Sequence, residues 1–193
     1  MDNKIYFDTE FTNLTKDADL ISIGMVDTYG RLFYAEVSNF DTTKSSVWVN
    51  DNVIPKLRFF NKHDALASKS DNAKTTIVYG TKDEVSDKII EWLSYNAKHS
   101  SEKLVFVSDL MAYDWMLFVD LINKGKDATL IPEFVDMYYY DISTVFRTKN
   151  IDPDINREEF ASEYINVIVN EDKHNALWDA IVIQACDKRL QYI

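Results

Sequence analysis

Two acidic residues, Asp8 and Glu10, close the first apolar stretch of the chain, Lys4-Ile-Tyr-Phe-Asp-Thr-Glu-Phe-Thr-Asn-Leu14. The β-favouring residues before them predict a buried strand, and side chains two residues apart on a strand point to the same face. Carboxylates buried side by side repel each other unless a cation joins them. The pair therefore indicates a divalent-metal site. The alternative is a plain strand end, since an Asp-X-Glu triplet arises easily by chance among 32 acidic residues.

A third acidic residue, Asp179, lies in a stretch that is apolar on nearly all sides, from Ala176 to Cys186. A helix of this kind is predicted to be buried, so Asp179 must pair with a cation or titrate. His174 precedes it by five residues, which is about 140° around a helix. The two side chains converge only if His174 stands in the preceding loop, with Asn175 as the N-cap. The alternative for His174 is a surface or capping histidine.

The fourth acidic residue is chosen from two candidates, Asp109 and Asp114. Asp109 follows a short apolar strand, and Asp114 falls in the first turn of the next helix, where ligands of open α/β sheets gather. We select Asp114, because Tyr113, Trp115 and Phe118 enclose it in apolar surface. Asp109 is interpreted as a possible helix cap.

Composition indicates one globular domain over residues 1–193, because the hydrophobic content is 46% and there are only four glycines and three prolines. A single cysteine, Cys186, excludes an internal disulfide framework. With no signal-type or membrane-length apolar run, a cytoplasmic location without membrane contact is expected. The net charge of −11 argues against binding a polyanion by general attraction. Metal ions held by converging carboxylates would supply positive potential locally.

The order of predicted elements is three strands, helix, strand, helix, strand, helices. The strands are placed near residues 4–10, 20–26, 31–37, 104–107 and 133–139, with a turn at Gly30, and helices near 81–93, 112–123, 141–147, 156–160 and 174–190. A less regular segment covers 40–57, with Ser45 or Ser46 as a possible cap of residues at helical spacing, and residues 60–76 are predicted to be an exposed loop. This order predicts an α/β fold with a mixed five-stranded central sheet flanked by helices.

The combined motifs resemble the DEDD exonuclease superfamily, in particular its DEDDh branch. Asp8-Thr-Glu10 is similar to the first family motif, Tyr113-Asp114 to the second, and His174-Asn-Ala-Leu-Trp-Asp179 to the His-X4-Asp third. Glu10-Phe-Thr-Asn-Leu14 is similar to Glu-X-Thr-Gly-Leu, with Asn13 in place of glycine. Further stretches resemble the ribonuclease AS group of exoribonucleases, among them Leu20-Ile-Ser-Ile-Gly24 and Trp48-Val-Asn-Asp-Asn-Val-Ile-Pro55. The resemblance spans nearly the whole chain and is weakest over 59–76.

The resemblance implies a ribonuclease H-like fold and metal-dependent 3′–5′ removal of nucleotides. Four carboxylates and no thiolate favour two Mg²⁺ ions, with Mn²⁺ as a substitute. Asp8 is assigned as the bridging ligand, Glu10 and Asp179 to the ion at the attacking water, and Asp114 to the ion at the leaving oxygen. His174 would be the general base, because an imidazole accepts a proton near neutral pH.

The resemblance also implies that Phe11, Thr12 and Leu14 surround the terminal nucleotide, with core positions as the alternative for Phe11 and Leu14. The expected substrate is single-stranded or 3′-tailed RNA, cut to nucleoside monophosphates. A DNA exonuclease, a metal-dependent phosphatase or nucleotide hydrolase, and a catalytically silent interaction module remain alternatives. A homodimer is expected from the same resemblance.

Overall fold

A computed structural model describes residues 3–60, 70–72, 74–98, 102–127, 129–165 and 173–193. Its strands are β1 (Asn3–Phe11), β2 (Leu20–Asp27), β3 (Leu32–Val37), β4 (Ser70–Asn72), β5 (Thr75–Gly80), β6 (Leu104–Ser108) and β7 (Tyr140–Asp141). Its α-helices are α1 (Val47–Asn52), α2 (Lys82–Lys98), α3 (Ala112–Ile122), α4 (Ile142–Thr148), α5 (Arg157–Ala161) and α6 (Ala176–Leu190). None of the helices in these ranges is long and apolar enough to cross a bilayer.

A seven-stranded mixed sheet of order β4-β5-β3-β2-β1-β6-β7 forms the centre of the molecule. Strand β1 pairs with β2 in antiparallel fashion and with β6 in parallel fashion. The antiparallel register places Asp8 opposite Gly24, and the parallel register places Tyr6 beside Val107. The carboxyl ends of β1 and β6 therefore meet at one edge of the sheet, and Asp8 lies there.

Two apolar layers cover the sheet, one on each face. On one face, Ile5 and Phe7 of β1 pack in a core that includes residues of α2 and α3. On the other face, Tyr6 belongs to a second core built largely on α6. The strands in the middle of the sheet are buried on both faces, which explains their nearly continuous apolar sequences.

The ribonuclease H-like α/β prediction is confirmed, but the predicted sheet of five strands differs from the observed one. Strands β4 and β5 were not predicted, and the predicted loop over 60–76 overlaps both of them. Residues 61–69 and 73 of that loop lie outside the described ranges. Strand β5 pairs in parallel with β3, and only Ile77 and Val78 of it are buried. Its sequence, Thr75-Thr-Ile-Val-Tyr-Gly80, does not alternate between polar and apolar residues, so the pattern of a half-buried strand is absent.

The predicted strand over 133–139 is wrong. Its contact with the sheet is a single bridge between Val135 and Leu104, and the short β7 follows only at Tyr140. The backbone N–H of Tyr138 donates to the Asp136 carboxylate at 2.9 Å, and this local turn ends the pairing. The three tyrosines at 138–140 are exposed, with Tyr138 at 87%.

The predicted helix starts are confirmed by their side-chain caps. Ser46, Asp141, Asn156 and Asn175 accept hydrogen bonds from the first turns of α1, α4, α5 and α6. Gly30 has a φ of 78°, as its turn position requires. The Asn175 cap matters most for function, because it leaves His174 outside the helix.

Candidate active site

One face of β1 carries the polar side chains Lys4, Tyr6, Asp8 and Glu10 in alternation, and this face is turned towards α6. Gly24 allows the close approach of the helix. A Cβ atom at Gly24 would lie 2.3 Å from the backbone carbon of Ala176. Because Gly24 is also paired with Asp8, the absence of its side chain brings the start of α6 against the acidic end of β1.

Glu10, His174 and Asp179 come together at this end. One potential ligand atom from each lies within 4.8 Å of those of the other two. The backbone N–H of His174 donates to Asp179 Oδ2 at 3.0 Å, and His174 adopts a left-handed φ of 68°. Its ring also packs edge-on against Trp48, with 5.0 Å between ring centroids. Loop, helix and strand thus converge on a small half-buried group of ionisable side chains.

Asp8 and Glu10 have strongly raised pKa values. Burial is the main cause of the rise in the pKa of Asp8, followed by the charges of Asp114 and Asp179. Burial, and then the charges of Asp179 and Asp114, raise the pKa of Glu10 to about 8. The carboxylates of Asp8 and Glu10 thus repel their acidic neighbours, and a cation bound among them would lower these pKa values.

Asp114 is held rigidly beside β1. Its Oδ1 accepts from the backbone N–H and the hydroxyl of Thr9, and its Oδ2 accepts from the Ser108 hydroxyl at 2.8 Å. Burial raises the pKa of Asp114 to about 6, and these hydrogen bonds oppose the rise. Since a carboxylate has about four lone-pair positions, roughly one on Oδ2 is left for another partner.

These side chains fit a hard divalent cation. Carboxylate oxygens suit Mg²⁺ or Mn²⁺, whereas an imidazole ligand is more typical of later transition metals. Among the described residues, the group close enough to hold one ion consists of Glu10, His174 and Asp179. Asp8 and Asp114 lie near enough to shift the pKa values of the others but fall outside that group. The sequence-based ligand assignments therefore stay predictions, with Glu10 and Asp179 the best placed.

Three residues were predicted to surround a terminal nucleotide. Phe11 and Leu14 line a cavity, whereas Thr12 is buried. A cavity of about 390 Å³ adjoins Glu10 and is lined by Phe11, Leu14 and Trp48, together with Asn13, Ser46 and Val49; we call it the apolar cavity. Leu14 is 73% exposed, so its alternative interpretation as a core residue is wrong.

Thr12 does not line the apolar cavity. It is fully buried, its N–H donates to the Asp19 carbonyl at 3.0 Å, and its hydroxyl accepts from the Asp19 N–H at 3.0 Å. Any role of Thr12 is therefore to hold the loop that carries Leu14.

Several residues that complete the site were not identified from the sequence. Asp109 does not cap α3; its carboxylate binds the Arg157 guanidinium, with Nε to Oδ2 at 2.8 Å. Phe11 stacks on Tyr113 at 5.4 Å, and the Tyr113 hydroxyl donates to the Leu14 carbonyl at 3.0 Å. The available signals were weak: Trp48 lies in a stretch that resembles the ribonuclease AS group but had no assigned role, and Thr9 simply separates two acidic residues.

Comparisons with known proteins agree with this geometry. No protein-family model matches the chain. Over 54 residues it is 41% identical to the 3′-5′ exoribonuclease Rv2179c of Mycobacterium tuberculosis, a match that covers 28% of this chain and 32% of that protein. The chain thus matches about a third of the length of this curated relative.

Solved structures of similar fold cover the chain almost completely. Pop2p of S. pombe, in its Mg²⁺- and Mn²⁺-bound form, has a TM-score of 0.66 at 11% identity, covering 98% of this chain and 82% of its own. A 3′-exonuclease, solved for its 3′-end-specific recognition of a histone mRNA stem-loop, has a TM-score of 0.62 at 11% identity, with coverages of 99% and 64%. The chain therefore has the ribonuclease H-like fold of the DEDD-type 3′-exonucleases that its sequence motifs resemble.

Proposed function

We propose that this protein is a metal-dependent 3′–5′ exoribonuclease that shortens single-stranded or 3′-tailed RNA to nucleoside monophosphates. The observation that carries the proposal is the convergence of Glu10, His174 and Asp179 beside the raised-pKa carboxylates of Asp8 and Asp114. The local match to a 3′-5′ exoribonuclease and the fold likeness to a 3′-exonuclease of RNA support the choice of RNA.

Two divalent ions would be held by Asp8, Glu10, Asp114 and Asp179. When bound, they supply positive charge that offsets the carboxylates and stabilises the charge developing on the phosphate. The site suits this role because its acidic side chains otherwise repel one another. His174 also falls within ligand distance of this group, but it stands in the loop before α6, where a neutral imidazole can act as a proton acceptor instead of a ligand.

His174 acts in this proposal as the general base. It takes a proton from the water that attacks phosphorus; a phosphorus–oxygen bond to that water forms, and the bond to the 3′-oxygen of the preceding nucleotide breaks. The leaving 3′-oxygen gains a proton and stays on the shortened strand. The N–H bond to Asp179 and the contact with Trp48 restrict the positions of the imidazole, which orients it for this transfer.

The apolar cavity takes the terminal base. Phe11, Leu14 and Trp48 present apolar and aromatic surface directly beside Glu10, and aromatic side chains stack on unpaired bases of any sequence. Stacking of Phe11 on Tyr113 fixes the loop on which Leu14 stands. The terminal nucleotide would thus be held next to the carboxylates without base-specific hydrogen bonds.

The test is hydrolysis of matched 5′-labelled RNA and DNA oligomers of one sequence, with Mg²⁺ or Mn²⁺. We expect stepwise shortening of the RNA from its 3′ end, nucleoside monophosphates as products, and loss of activity in EDTA. Faster shortening of the DNA would replace the RNA assignment with a DNA exonuclease. Release of inorganic phosphate from mononucleotides would indicate a phosphatase.

Substitution of His174 tests whether this residue is the general base, a role that a silent binding module would not need. We expect His174→Ala to lower the rate by about 10²–10⁴-fold, the usual contribution of general-base catalysis. Lys88→Ala, on the exposed face of α2, is the control and should leave the rate unchanged. Equal rates for His174→Ala and the wild type would exclude His174 as the base.

A further inference from the structure

A second cavity, of about 480 Å³, borders the carboxylates on the side formed by α5 and α6. Asp8 and Asp179 form part of its wall, and Asp109, Asn156, Arg157 and Lys173 form another part; we call it the polar cavity. The apolar cavity, in contrast, touches the acidic group at Glu10. The site is therefore bordered by two cavities, and of the two the polar cavity carries cationic side chains.

Arg157 is fixed in the polar cavity by an extensive network. Its Nε and Nη2 donate to the two oxygens of Asp109, Nη2 also donates to the Ser143 hydroxyl at 3.0 Å, and Nη1 donates to the Ile155 carbonyl at 2.9 Å. Its guanidinium also lies over the Phe146 ring, 4.4 Å from the centroid. Since arginine has five N–H donors and its bonds within the described part of the chain use four, one Nη1 donor can serve a ligand.

Charges along the polar cavity restrict where an anion could bind. Asp109 is balanced by Arg157, and Glu158 accepts a hydrogen bond from the Trp178 indole at 2.6 Å. Asp154 also lines the cavity, so the wall as a whole is not basic. Lys173 is exposed and directly precedes His174. Its ammonium group is the second cationic group of the polar cavity, after the Arg157 guanidinium. A phosphate would have to bind at these two side chains.

We infer that the polar cavity binds the phosphate one nucleotide upstream of the scissile phosphate, through Arg157 and Lys173. This inference rests on the proposed exonuclease function. With the terminal base in the apolar cavity and the scissile phosphate at the carboxylates, the retained strand leaves past Asp8 and Asp179. Its next phosphodiester then meets a preorganised guanidinium, the group best suited to phosphate. Only the last few nucleotides need to be held, which is compatible with a net charge of −11.

The test neutralises first the upstream phosphodiester of the RNA and then the cationic side chains of the protein. Two RNA oligomers are compared, one natural and one with a neutral methylphosphonate at the linkage immediately 5′ of the scissile one. We measure single-turnover release of the first nucleotide, and dissociation constants by fluorescence anisotropy in Ca²⁺. In the wild type, the neutral linkage should weaken binding about tenfold, as expected for a charge-assisted hydrogen bond.

Two variants decide whether Arg157 and Lys173 cause that loss. In Lys173→Met, natural RNA should bind about threefold more weakly, and the penalty for the neutral linkage should shrink by the same factor. In Arg157→Met, most of the penalty should disappear. Arg31→Met is the matched control, because Arg31 also pairs with an aspartate, Asp27, in the distant β2–β3 turn; it should keep the full penalty.

The possible results separate this inference from the proposed function. An undiminished penalty in both Lys173→Met and Arg157→Met, with normal cleavage of natural RNA, would overturn the phosphate site alone. Failure of the wild type to cleave natural RNA with Mg²⁺ or Mn²⁺ would overturn both proposals. Lys173→Met is expected to fold even if Arg157→Met does not, because the Lys173 side chain is exposed and is not among the partners of Arg157 described above.

Discussion

Strand β1 and helix α6 contact each other through charged side chains at two places, and the balance of charge differs between these two contacts. At one end, the buried Asp187 carboxylate accepts from the Lys4 ammonium at 2.8 Å and from the Tyr6 hydroxyl at 2.7 Å. At the other end, Asp179 faces Glu10, with Asp8 close by. The same pair of elements thus holds one neutralised aspartate and one group of repelling carboxylates. A cation bound at the acidic end, as proposed above, would relieve this repulsion.

The largest expected effect is the loss of activity when Asp8, at the acidic end, is replaced by a neutral residue. We expect Asp8→Asn to lower the rate of nucleotide release about 10³-fold, because charge stabilisation by metal contributes several kcal/mol. In EDTA the variant should be at least as resistant to urea as the wild type, since the substitution removes a repelling charge. The measurements are single-turnover hydrolysis and equilibrium unfolding.

A different result for Asp8→Asn would weaken the contrast. Activity within threefold of the wild type would show that Asp8 does not hold an ion. A marked loss of stability in EDTA would show that Asp8 is a structural residue, like Asp187 at the opposite end.

The next largest effect is expected from a substitution at Gly24, where α6 approaches the sheet and the acidic side chains are brought together. We expect Gly24→Ala to cost about 3 kcal/mol of unfolding free energy, because the new methyl group meets rigid backbone of Ala176 and Leu177 at 2.3 Å. Gly80→Ala is the control. Its Cβ would lie 2.9 Å from a Glu84 carboxylate oxygen and 3.1 Å from the Glu84 Cβ, so the carboxylate must rotate and the Cβ must shift by a few tenths of an ångström, a smaller cost than a clash with backbone at 2.3 Å. Equal stability of the two variants in urea would contradict the assigned role of Gly24.

Much of the central fold could be predicted because its signals are local. Strands β1, β2, β3 and β6 are apolar runs between turn residues, and each helix cap adjoins the helix that it starts. Strand β5 could not be predicted, because it depends on its parallel partner β3. The aromatic residues at 138–140 indicated a buried strand, yet one turn at Asp136 leaves Tyr138 exposed.

Glu10, His174 and Asp179, which the structure brings together, could be selected from the sequence, since an acidic residue in an apolar stretch is visible there. The partners of the other acidic residues could not. Thr9 binds Asp114 across 105 residues and Asp109 binds Arg157 across 48, and neither contact follows from any periodicity. These contacts determine whether an acidic residue is available to a metal, which is why Asp109 and Asp114 could be ranked only by their surroundings.

The neutralised end should respond through stability alone. We expect Asp187→Asn to lower the unfolding free energy by about 2 kcal/mol, because the Lys4 ammonium, with 15% of its side chain exposed, loses its charged partner. Hydrolysis should remain within twofold of the wild type. Glu91→Gln, which breaks an exposed pair with Lys88 on α2, is the control and should change stability by less than about 0.5 kcal/mol. A tenfold loss of activity in Asp187→Asn would show that the two ends are not independent.

The smallest effect is a pH dependence that belongs to the acidic end. The pKa of Glu10 is raised from 4.5 to about 8, so the metal-free folded protein holds a proton that the unfolded chain has already released. Stability in EDTA should therefore fall as the pH rises from about 5 to about 8. Each kcal/mol shifts Tm by about 2–4 °C in a chain of this size, so a decrease of several degrees is expected.

The metal should reverse this pH dependence, because it binds the deprotonated carboxylates. Mg²⁺ or Mn²⁺ should raise Tm more at pH 8 than at pH 5.5, and Glu10→Gln should flatten the metal-free profile. Calorimetry of both proteins, with and without metal, measures all four profiles. A metal-free Tm that rises steadily between pH 5 and pH 8 would mean that the carboxylates at the acidic end are already neutralised by the protein, as Asp187 is, and the difference between the two ends would disappear.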